Sequence, residues 1–352
     1  MVVTPRRLAG KGDGGNTVAS LAWKGARMGR LVDGFGRRFR YLRLSVTEVC
    51  NYRCTYCLPD GFKKSGAMAF LTPDEIDCVV RAFASFGVAK LRLTGGEPSV
   101  RRDLVEIIAR GAKTPGIDKV AITTNGWNLK RNIHAWRGAG LTNLNVSIDA
   151  LDPAAFHRIT GHDQLGEIIA GLDLALALDV PTVKVNAVLL RDTVETGFDA
   201  FADFVRDRPI SFRFIELMRT GDNTAYFDDQ HVSGVDLQGW LAVRGWSPIA
   251  KAFDDGPATD YAHPDYRGRI GLIAPYAPGF CDSCNRLRVT AKGALRLCLF
   301  GELGVDLRDL LTPDQDEALR ARIEAALIGK PSGHRLHESN SGDTRQLAQF
   351  GG

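Results

Sequence analysis

The sequence lacks a run of apolar residues long enough to cross a membrane, which takes roughly 20 residues as a helix. Its first residues lack the apolar core of a secretory signal, and their low serine content argues against a transit peptide. Cysteine is scarce, and six of the seven cysteines fall into two triplets. Such grouping is typical of metal ligation in a reducing compartment and not of disulfides. We therefore expect a cytoplasmic protein without a membrane partner.

The first triplet also lacks a fourth cysteine. Cys50, Cys54 and Cys57 follow a predicted strand with the spacing C-x3-C-x2-C. Three thiolates are one too few for a closed zinc site or a fully ligated 4Fe–4S cluster, each of which takes four. A cluster held by three thiolates keeps one iron open for another ligand. Two other interpretations remain, namely packed core cysteines along a helix and a zinc site completed by a distant residue.

The charge is unevenly distributed along the chain. The net charge is +4, but residues 1–40 contain nine Lys and Arg against two Asp, so the remaining residues are net negative. Because the first residues are also rich in Gly and Arg and show no sustained periodicity, we predict that residues 1–32 form a basic, flexible extension. The acidic body argues against a nucleic-acid partner.

From residue 33 onward, short apolar strands alternate with helices. The predicted strands cover residues 41–46, 88–93, 118–123, 143–148, 181–189 and 210–217. This rhythm is typical of βαβ units around a parallel sheet. Six units suit an open barrel, so we predict an α/β fold in which residues 33–230 form a partial (β/α)6 TIM-like barrel. The rhythm changes afterwards, and residues 231–352 are predicted to form an appended C-terminal domain.

Two predicted helices have recognisable starts. Thr72-Pro73-Asp74-Glu75 has the pattern of a capping box, and Gly87 is expected to end that helix. Thr312-Pro313-Asp314-Gln315 is predicted to cap a second helix over residues 312–328 in the same way. Cys78, outside both triplets, lies on the first helix and is expected to fill the core.

Unusual residues stand where the predicted strands end, and working residues of barrels cluster at that rim. They are Gly95-Gly96-Glu97-Pro98, Thr123, Ser147, Asp149, Glu216 and Met218. The paired glycines would let a ligand pass close to the backbone, and Glu97 can accept hydrogen bonds from an ammonium group. Each motif alone is a common strand–helix turn, but their meeting with the first triplet at one rim favours a ligand site.

Three predicted strands carry a cation between apolar neighbours, at Arg43, Arg92 and Lys184. Strands of a parallel barrel are buried on both faces, where an unpaired cation is costly. Salt bridges to helix carboxylates are one explanation. Recurrence on three strands favours a polyanionic ligand instead, and arginine suits phosphate oxygens.

The second triplet, Cys281, Cys284 and Cys298, surrounds Arg286 and Arg288. A zinc site with a fourth ligand such as His263 is one interpretation. A second cluster with an open iron is favoured if the first triplet holds a cluster. The terminal Gly351-Gly352 alone indicates only a mobile end.

Together these motifs resemble the two-cluster radical S-adenosylmethionine (SAM) enzymes that carry out the first step of molybdenum cofactor biosynthesis. The first triplet alone resembles the signature of the whole superfamily. The pattern C-x2-C-x-R-x-R-x9-C and the terminal Gly-Gly resemble this family in particular. The likeness runs from about Asp33 to the last residue. It implies two 4Fe–4S clusters and SAM as cofactors, and GTP as substrate.

The resemblance implies a role for each candidate residue. Cys50, Cys54 and Cys57 would hold the first cluster, and Cys281, Cys284 and Cys298 the second. Implied contacts with SAM come from Tyr56, Gly96, Glu97, Ser147 and Met218. Implied contacts with GTP come from Arg43, Arg92, Thr123, Lys184, Arg286 and Arg288. Catalytic roles are implied for Arg286, Arg288, Gly351 and Gly352.

The implied reaction begins with one electron, which cleaves SAM into methionine and a 5′-deoxyadenosyl radical. That radical removes the ribose 3′ hydrogen of GTP. The resulting carbon radical attacks guanine C8, and reduction yields 3′,8-cyclo-7,8-dihydroguanosine 5′-triphosphate. The product would pass to cyclic pyranopterin monophosphate synthase. The electron donor is unknown, and the oligomeric state, homodimer or monomer, stays open. Two other classes remain: a two-cluster radical SAM enzyme that modifies peptides, and a non-enzymatic zinc-binding protein.

Overall fold

A computed structural model describes residues 29–64, 69–251, 256–302 and 304–350 of the chain. Nearly all of the predicted extension, residues 1–32, lies outside these described residues, as do Gly351 and Gly352. The described strands are β1 (Tyr41–Ser45), β2 (Lys90–Thr94), β3 (Lys119–Thr124), β4 (Asn143–Ser147), β5 (Thr182–Leu189), β6 (Ser211–Glu216), β7 (Ser247–Pro248), β8 (Thr259–Ala262), β9 (Arg269–Ile273), β10 (Arg286–Val289), β11 (Ala294–Arg296) and β12 (Val305–Asp306).

The helices pack around one sheet. They are α1 (Pro73–Ser85), α2 (Leu104–Lys113), α3 (Leu129–Gly138), α4 (Pro153–Thr160), α5 (Leu165–Ala177), α6 (Arg191–Thr196), α7 (Asp199–Arg206), α8 (Thr224–Gln230), α9 (Val235–Val243) and α10 (Asp316–Leu327). No helix in the described part of the chain is both long and apolar enough to span a membrane.

The sheet order is β12-β11-β10-β1-β2-β3-β4-β5-β6-β9-β8-β7. Strands β1 to β6 are neighbours in sequence order and run parallel. The two end strands of the order do not pair, so the sheet stays open. The predicted α/β fold with an open, parallel barrel of six βα units is therefore confirmed, and the six predicted strands match the observed ones to within about two residues.

The segment after residue 230 extends this sheet on both sides. Strand β10 runs parallel to β1, and β9 runs parallel to β6. Hairpin partners continue antiparallel beyond each of them. The boundary at residue 230 stays a prediction, but the strands that follow it share the main sheet.

The two helix starts predicted from the sequence differ in their outcome. The Thr72 capping box is confirmed: the Thr72 hydroxyl accepts from the Glu75 N–H, and the Glu75 carboxylate accepts from the Thr72 N–H. The prediction of a helix capped by Thr312 was wrong, because Thr312 closes a turn with Gln315 and α10 begins only at Asp316. The short helices α4 and α8 were not predicted from the sequence.

The barrel strands alternate between apolar and polar faces. Leu42, Leu44, Leu91 and Leu93 are buried in the main apolar core, which includes residues of the surrounding helices. Cys78 lies in that same core, which confirms its predicted role. The opposite face of these strands carries Arg43 and Arg92 instead. The barrel is thus apolar towards its helices and polar inside, which leaves the interior for a charged ligand.

Candidate active site

The first cysteine triplet lies in the loop after β1. The Thr55 N–H donates to the carbonyl of Ile159 in α4 at 2.9 Å, and the Cys57 and Leu58 N–H groups donate to the Cys54 carbonyl. The three cysteine residues are neither fully buried nor fully exposed. The loop is therefore folded by its own backbone and by α4, at the end of the barrel at which β1 finishes.

The Gly95-Gly96 pair lies against the segment that leads into this loop. The Gly96 N–H donates to the Thr47 carbonyl at 2.9 Å, and the Glu97 N–H donates to the Val49 carbonyl at 2.8 Å. A Cβ atom at Gly96 would stand 2.4 Å from the Val49 oxygen. The close approach at this glycine is thus made by the chain's own backbone, and a further approach by a ligand stays a prediction.

Glu97 is fully buried between the second and third strand ends. Its carboxylate accepts from the Ser99 N–H, the Thr124 hydroxyl and the Asn125 N–H at 2.6 to 2.9 Å. Burial outweighs these donors and raises the pKa of Glu97. The structure gives this carboxylate a role in holding two loops together, and its contact with SAM stays a prediction.

The thiols of the first triplet interact with one another electrostatically. Burial raises the pKa of Cys50 to about 11 and that of Cys57 to about 12, and it also raises the pKa of Cys54. The other thiols of the triplet add to the rise for Cys54 and Cys57. Since iron binds thiolates, loading a cluster here must release protons.

Within the described ranges, no set of three or more His, Cys, Asp or Glu side chains is arranged to hold a single metal ion. A 4Fe–4S cluster makes a different demand, because each thiolate binds a different iron. The donor set fits such a cluster, since it offers three mutually interacting thiols on one loop.

The second triplet lies in a positively charged setting. The Arg37 guanidinium donates to the Cys281 carbonyl at 3.1 Å and to the Ser332 and Pro331 carbonyls. Burial would raise the pKa of Cys284, but Arg286, Lys330 and Arg37 outweigh it and lower this pKa. Cys281 interacts electrostatically with both Cys284 and Cys298. These three thiols also suit an iron–sulfur cluster.

His263, weighed as a fourth zinc ligand, packs elsewhere. Its ring lies 5.4 Å from that of Trp246 and 5.1 Å from that of Tyr266. The geometry therefore gives no support to a zinc site formed by His263 and the second triplet.

The two triplets meet at a small apolar cluster of their own. Its buried members are Leu299, Phe300, Leu336 and Leu347, and Cys57, Cys298, Met218 and Phe350 pack against them. One cysteine from each triplet and the predicted SAM contact Met218 thus lie against the same apolar surface. Such a surface excludes water between the two sites.

The chain end packs into this cluster. The backbone N–H groups of Leu347 and Ala348 donate to the Cys57 thiol. Arg296 holds the segment through a two-point ion pair with Asp343 at 2.5 and 2.7 Å, and its guanidinium lies 4.1 Å from the centre of the Phe350 ring. The last described residues therefore lie beside the first triplet. Arg296 is a functional candidate that sequence reasoning missed.

The predicted GTP-binding cations lie close together inside the barrel. In the sheet register Arg288 is beside Arg43, and Arg43 is beside Arg92. Burial and the neighbouring charges of Arg92 and Arg286 lower the pKa of Arg43 to about 10, although Tyr41 opposes this shift. The pKa of Arg288 is also lowered, first by burial and then by the charges of Arg43 and Arg286. Such repulsion is relieved when an anion binds.

Arg92 connects several of these groups. It donates to the Tyr41 hydroxyl, to the Ile122 carbonyl at 3.1 Å and to the Thr123 hydroxyl at 2.9 Å. Burial alone would raise the pKa of Tyr41, but Arg92, Arg43 and Lys90 lower it to about 7. Thr123 and Arg92, both predicted GTP contacts, are therefore in direct contact.

Lys184 completes the cation group on β5. It is paired in register with Asn145, and Asn145 with Thr123. Burial lowers the pKa of Lys184 to about 8, and Arg213 and Lys90 add to the effect. The Oδ1 atoms of Asn145 and Asn186 on the same strands are buried without a hydrogen-bond partner among the described residues. Unpaired buried polar atoms of this kind fit a polar ligand in the barrel.

Lys90 and Arg213 were missed at the sequence level. Arg213 lies between the buried Phe212 and Phe214, the same alternation that identified Arg43, and applying that criterion to β6 would have found it. Its guanidinium binds Asp260 at 2.5 and 2.9 Å. Lys90 precedes Arg92 by two residues and so faces the same interior.

The predicted SAM contact Tyr56 is hydrogen-bonded to a carboxylate. Its hydroxyl donates to Asp149 at 2.9 Å, and the Val188 N–H donates to the other oxygen at 2.8 Å. Burial raises the pKa of Asp149 to about 6 despite these donors. Ser147 lies two residues earlier on β4. Asp149 and Tyr56 thus connect the first triplet's loop to the ends of β4 and β5.

Comparisons with known proteins agree with this geometry. Residues 44–205 match the Radical SAM superfamily, and residues 210–336 match Molybdenum Cofactor Synthesis C. Among solved structures, Streptococcus suis SuiB bound to S-adenosylmethionine has a TM-score of 0.57 at 14% identity, covering 82% of this chain and 68% of that chain. At that identity the likeness shows the fold alone. Together the fold, the two matches and the cysteine loop define a radical SAM enzyme, a class that uses a 4Fe–4S cluster and SAM.

Curated relatives are much more similar. A GTP 3',8-cyclase of Stenotrophomonas maltophilia (strain R551-3) is 57% identical over 326 residues, covering 92% of this chain and 100% of the relative. A GTP 3',8-cyclase of Aeromonas hydrophila is 53% identical over 331 residues, covering 92% of this chain and 97% of the relative. The chain belongs to the GTP 3',8-cyclase family. These relatives favour that function over a peptide-modifying enzyme or a zinc-binding protein.

Proposed function

We propose that this protein converts GTP and SAM, with two electrons and a proton from an external reductant, to 3′,8-cyclo-7,8-dihydroguanosine 5′-triphosphate, 5′-deoxyadenosine and methionine, the first step of molybdenum cofactor biosynthesis. The observation that carries the proposal is the arrangement inside one barrel. Two cysteine triplets meet at a shared apolar cluster, and a group of buried cations lies within the same barrel.

Each group has a proposed task. When bound, the first cluster supplies the electron for SAM cleavage, and SAM supplies the group that removes hydrogen. Arg43, Arg92 and Lys184 bind the triphosphate, with Thr123 held by Arg92. Arg286 and Arg288 stand between these cations and the second triplet, where they orient the guanosine. Tyr56, Gly96, Glu97, Ser147 and Met218 line the place for SAM, and the apolar cluster keeps water out.

The partners follow from the same chemistry. We place the reaction in a reducing cytoplasm, since six free cysteines must stay available for iron. The triphosphate product passes to cyclic pyranopterin monophosphate synthase. The chain acts as a monomer or a homodimer, and size-exclusion chromatography with light scattering decides between them.

Gly351 and Gly352 lie outside the described residues, and we propose that they enter the active site. The support is the packing of Leu347 and Ala348 against Cys57. Deleting both glycines should keep iron content and melting temperature but abolish cyclised product, because a misplacement of about 1 Å can cost on the order of a hundredfold in rate. Full activity of the truncated protein would show that the tail has no such role.

The decisive experiment is anaerobic reconstitution with SAM and GTP followed by chromatography and mass spectrometry. We expect 5′-deoxyadenosine and a cyclised nucleotide in equal amounts. Cys→Ala changes in either triplet should remove roughly half of the iron and sulfide, since each triplet holds one cluster. Cys78→Ala should leave both unchanged. SAM cleavage without a nucleotide product, or stoichiometric zinc with no sulfide, contradicts the proposal.

A further inference from the structure

A cavity of about 520 Å³ opens at the end of the barrel opposite the cysteine loops. It is lined by the first residues of β5, β6 and β9, by the turns that precede these strands, and by residues that flank and begin β8. Its volume is in the range of sites for small ligands. We call it the base cavity and define it by Lys184, Arg213, Lys251, Asp260, Arg267 and Arg269.

The base cavity carries an excess of positive charge. Its described lining has five Lys and Arg against two carboxylates, Asp179 and Asp260. The Asp260 carboxylate already has two partners among these residues. It accepts a hydrogen bond from the Arg213 guanidinium at 2.5 Å and another from the Ser211 hydroxyl. Neither the Lys184 ammonium nor the Arg269 guanidinium has a hydrogen bond or ion pair among the described residues. An anion is the ligand that such a lining favours.

The base cavity shares two cations with the proposed substrate site. Lys184 and Arg213 belong both to its lining and to the electrostatically coupled cations inside the barrel. Beyond them Lys251, Arg267 and Arg269 extend the positive charge outward, on exposed side chains. A triphosphate held by Arg43, Arg92 and Lys184 would therefore meet further space and further cations at its terminal phosphate.

We propose that the base cavity is an anion subsite for a phosphate beyond the terminal phosphate of GTP, so that the enzyme binds guanosine nucleotides extended at that end. This proposal rests on the proposed function for the position of GTP. It implies that guanosine 5′-tetraphosphate binds more tightly than GTP, because a fourth phosphate would reach Arg269 and Arg267. It also implies that inorganic triphosphate binds without a nucleoside.

The test is isothermal titration of the anaerobic, reconstituted protein with GTP, guanosine 5′-tetraphosphate and inorganic triphosphate. We expect the tetraphosphate to bind about tenfold more tightly than GTP, the low end for one hydrogen bond to a charged group. Arg269→Gln should bring the ratio of the two dissociation constants close to one. Arg81→Gln, an exposed arginine on α1 that pairs with Asp77, is the matched control and should keep the ratio.

A tetraphosphate that binds more weakly than GTP would overturn the proposal, as would a ratio that Arg269→Gln does not change. The inorganic triphosphate separates this failure from that of the proposed function. If GTP fails to bind while inorganic triphosphate binds and loses affinity in Arg269→Gln, the subsite stands and the assigned substrate is wrong.

Discussion

Lys184 shows how a single buried cation is prepared for an anion. Its pKa of about 8 results first from burial and then from repulsion by Arg213 and Lys90. Asp260 opposes the shift but is already bound to Arg213. The charged form of Lys184 is therefore disfavoured until a ligand brings negative charge.

This leads to a pH dependence of GTP binding. Because a triphosphate favours the protonated ammonium, affinity should be highest below the pKa of about 8 and should fall as pH rises through it. Between pH 7 and pH 9 the dissociation constant should increase about tenfold. Titration calorimetry at several pH values measures this. Lys184→Arg, which keeps the charge at every pH used, should abolish most of the change. An unchanged pH profile in that variant would assign the titration to another group.

Residue-level prediction from the sequence succeeded where a side chain broke an expected pattern. Arg43 and Arg92 interrupt apolar strands, and the structure brings them together with Arg288. The sequence identifies Asp149 only as a polar residue at a strand end, and Arg296 stands in no unusual pattern. Their partners, Tyr56 and Asp343, are distant in the chain, so only the folded structure reveals what they bind.

At the level of elements, two backbone segments join to position the first triplet. Residues 47–49 and 95–97 are linked by hydrogen bonds at 2.8 and 2.9 Å, and Cys50 follows directly. The glycines allow this contact, since a Cβ atom at either would stand 2.4 Å from a carbonyl oxygen. The position of Cys50 thus depends on a glycine in another loop.

Gly96→Ala should therefore impair the first cluster. The new methyl group must push Val49 away, which displaces Cys50 and should remove roughly half of the iron, one cluster of two. Iron and sulfide analysis with electron paramagnetic resonance measures the loss. Gly239→Ala is the control: it lies in α9 with nothing within 4 Å of the added atom, and alanine there should stabilise the helix by up to about 1 kcal/mol. Two intact clusters in Gly96→Ala would contradict this account.

The tail is a second element whose position depends on one residue. Arg296→Gln removes the ion pair to Asp343 and the contact with the Phe350 ring. Amide hydrogen exchange in residues 343–350 should then become at least about tenfold faster, because a hydrogen bond to a charged group contributes about 1.5–3 kcal/mol. Exchange in β1 to β6 should not change.

The matched control for the tail is Arg335→Gln. Arg335 is exposed, and its nitrogen lies 3.9 Å from Glu302, a weak contact. Exchange in residues 343–350 should stay slow in this variant. If Arg296→Gln also leaves it slow, the backbone hydrogen bonds from Gly221 and Asp222 to Thr344 and Arg345 suffice to hold the tail.

Elements with strong local signals were predictable, and elements fixed by tertiary contacts were not. The capping box at Thr72 and the six apolar strands depend on neighbouring residues only. The pattern at Thr312 resembles the one at Thr72, yet there the chain makes a turn before α10 begins. Strands β9 and β10 pair with β6 and β1, which are distant in sequence, so their places in the sheet could not be inferred.

At the scale of the whole molecule, the C-terminal segment covers both edges of the six-stranded barrel sheet. Without it, β1 and β6 would expose the hydrogen-bonding edges that β10 and β9 now cover. Open edges of parallel strands favour association with other chains. The same segment supplies the second cysteine triplet and the tail. The regions that match two different families therefore form one continuous sheet.

We expect unfolding to reflect this continuity. Far-ultraviolet circular dichroism and the visible absorbance of both clusters should be lost in one denaturant transition, since neither part keeps its sheet edges covered without the other. A protein cut after residue 230 should aggregate on expression, because β1 and β6 lose their outer partners. The control is a Cys→Ala variant in the second triplet. It loses the iron of that cluster but keeps the sheet intact, so it should still unfold in one transition. Two separated transitions, with the first cluster surviving the loss of the second segment, would show that the boundary near residue 230 divides independent folding units.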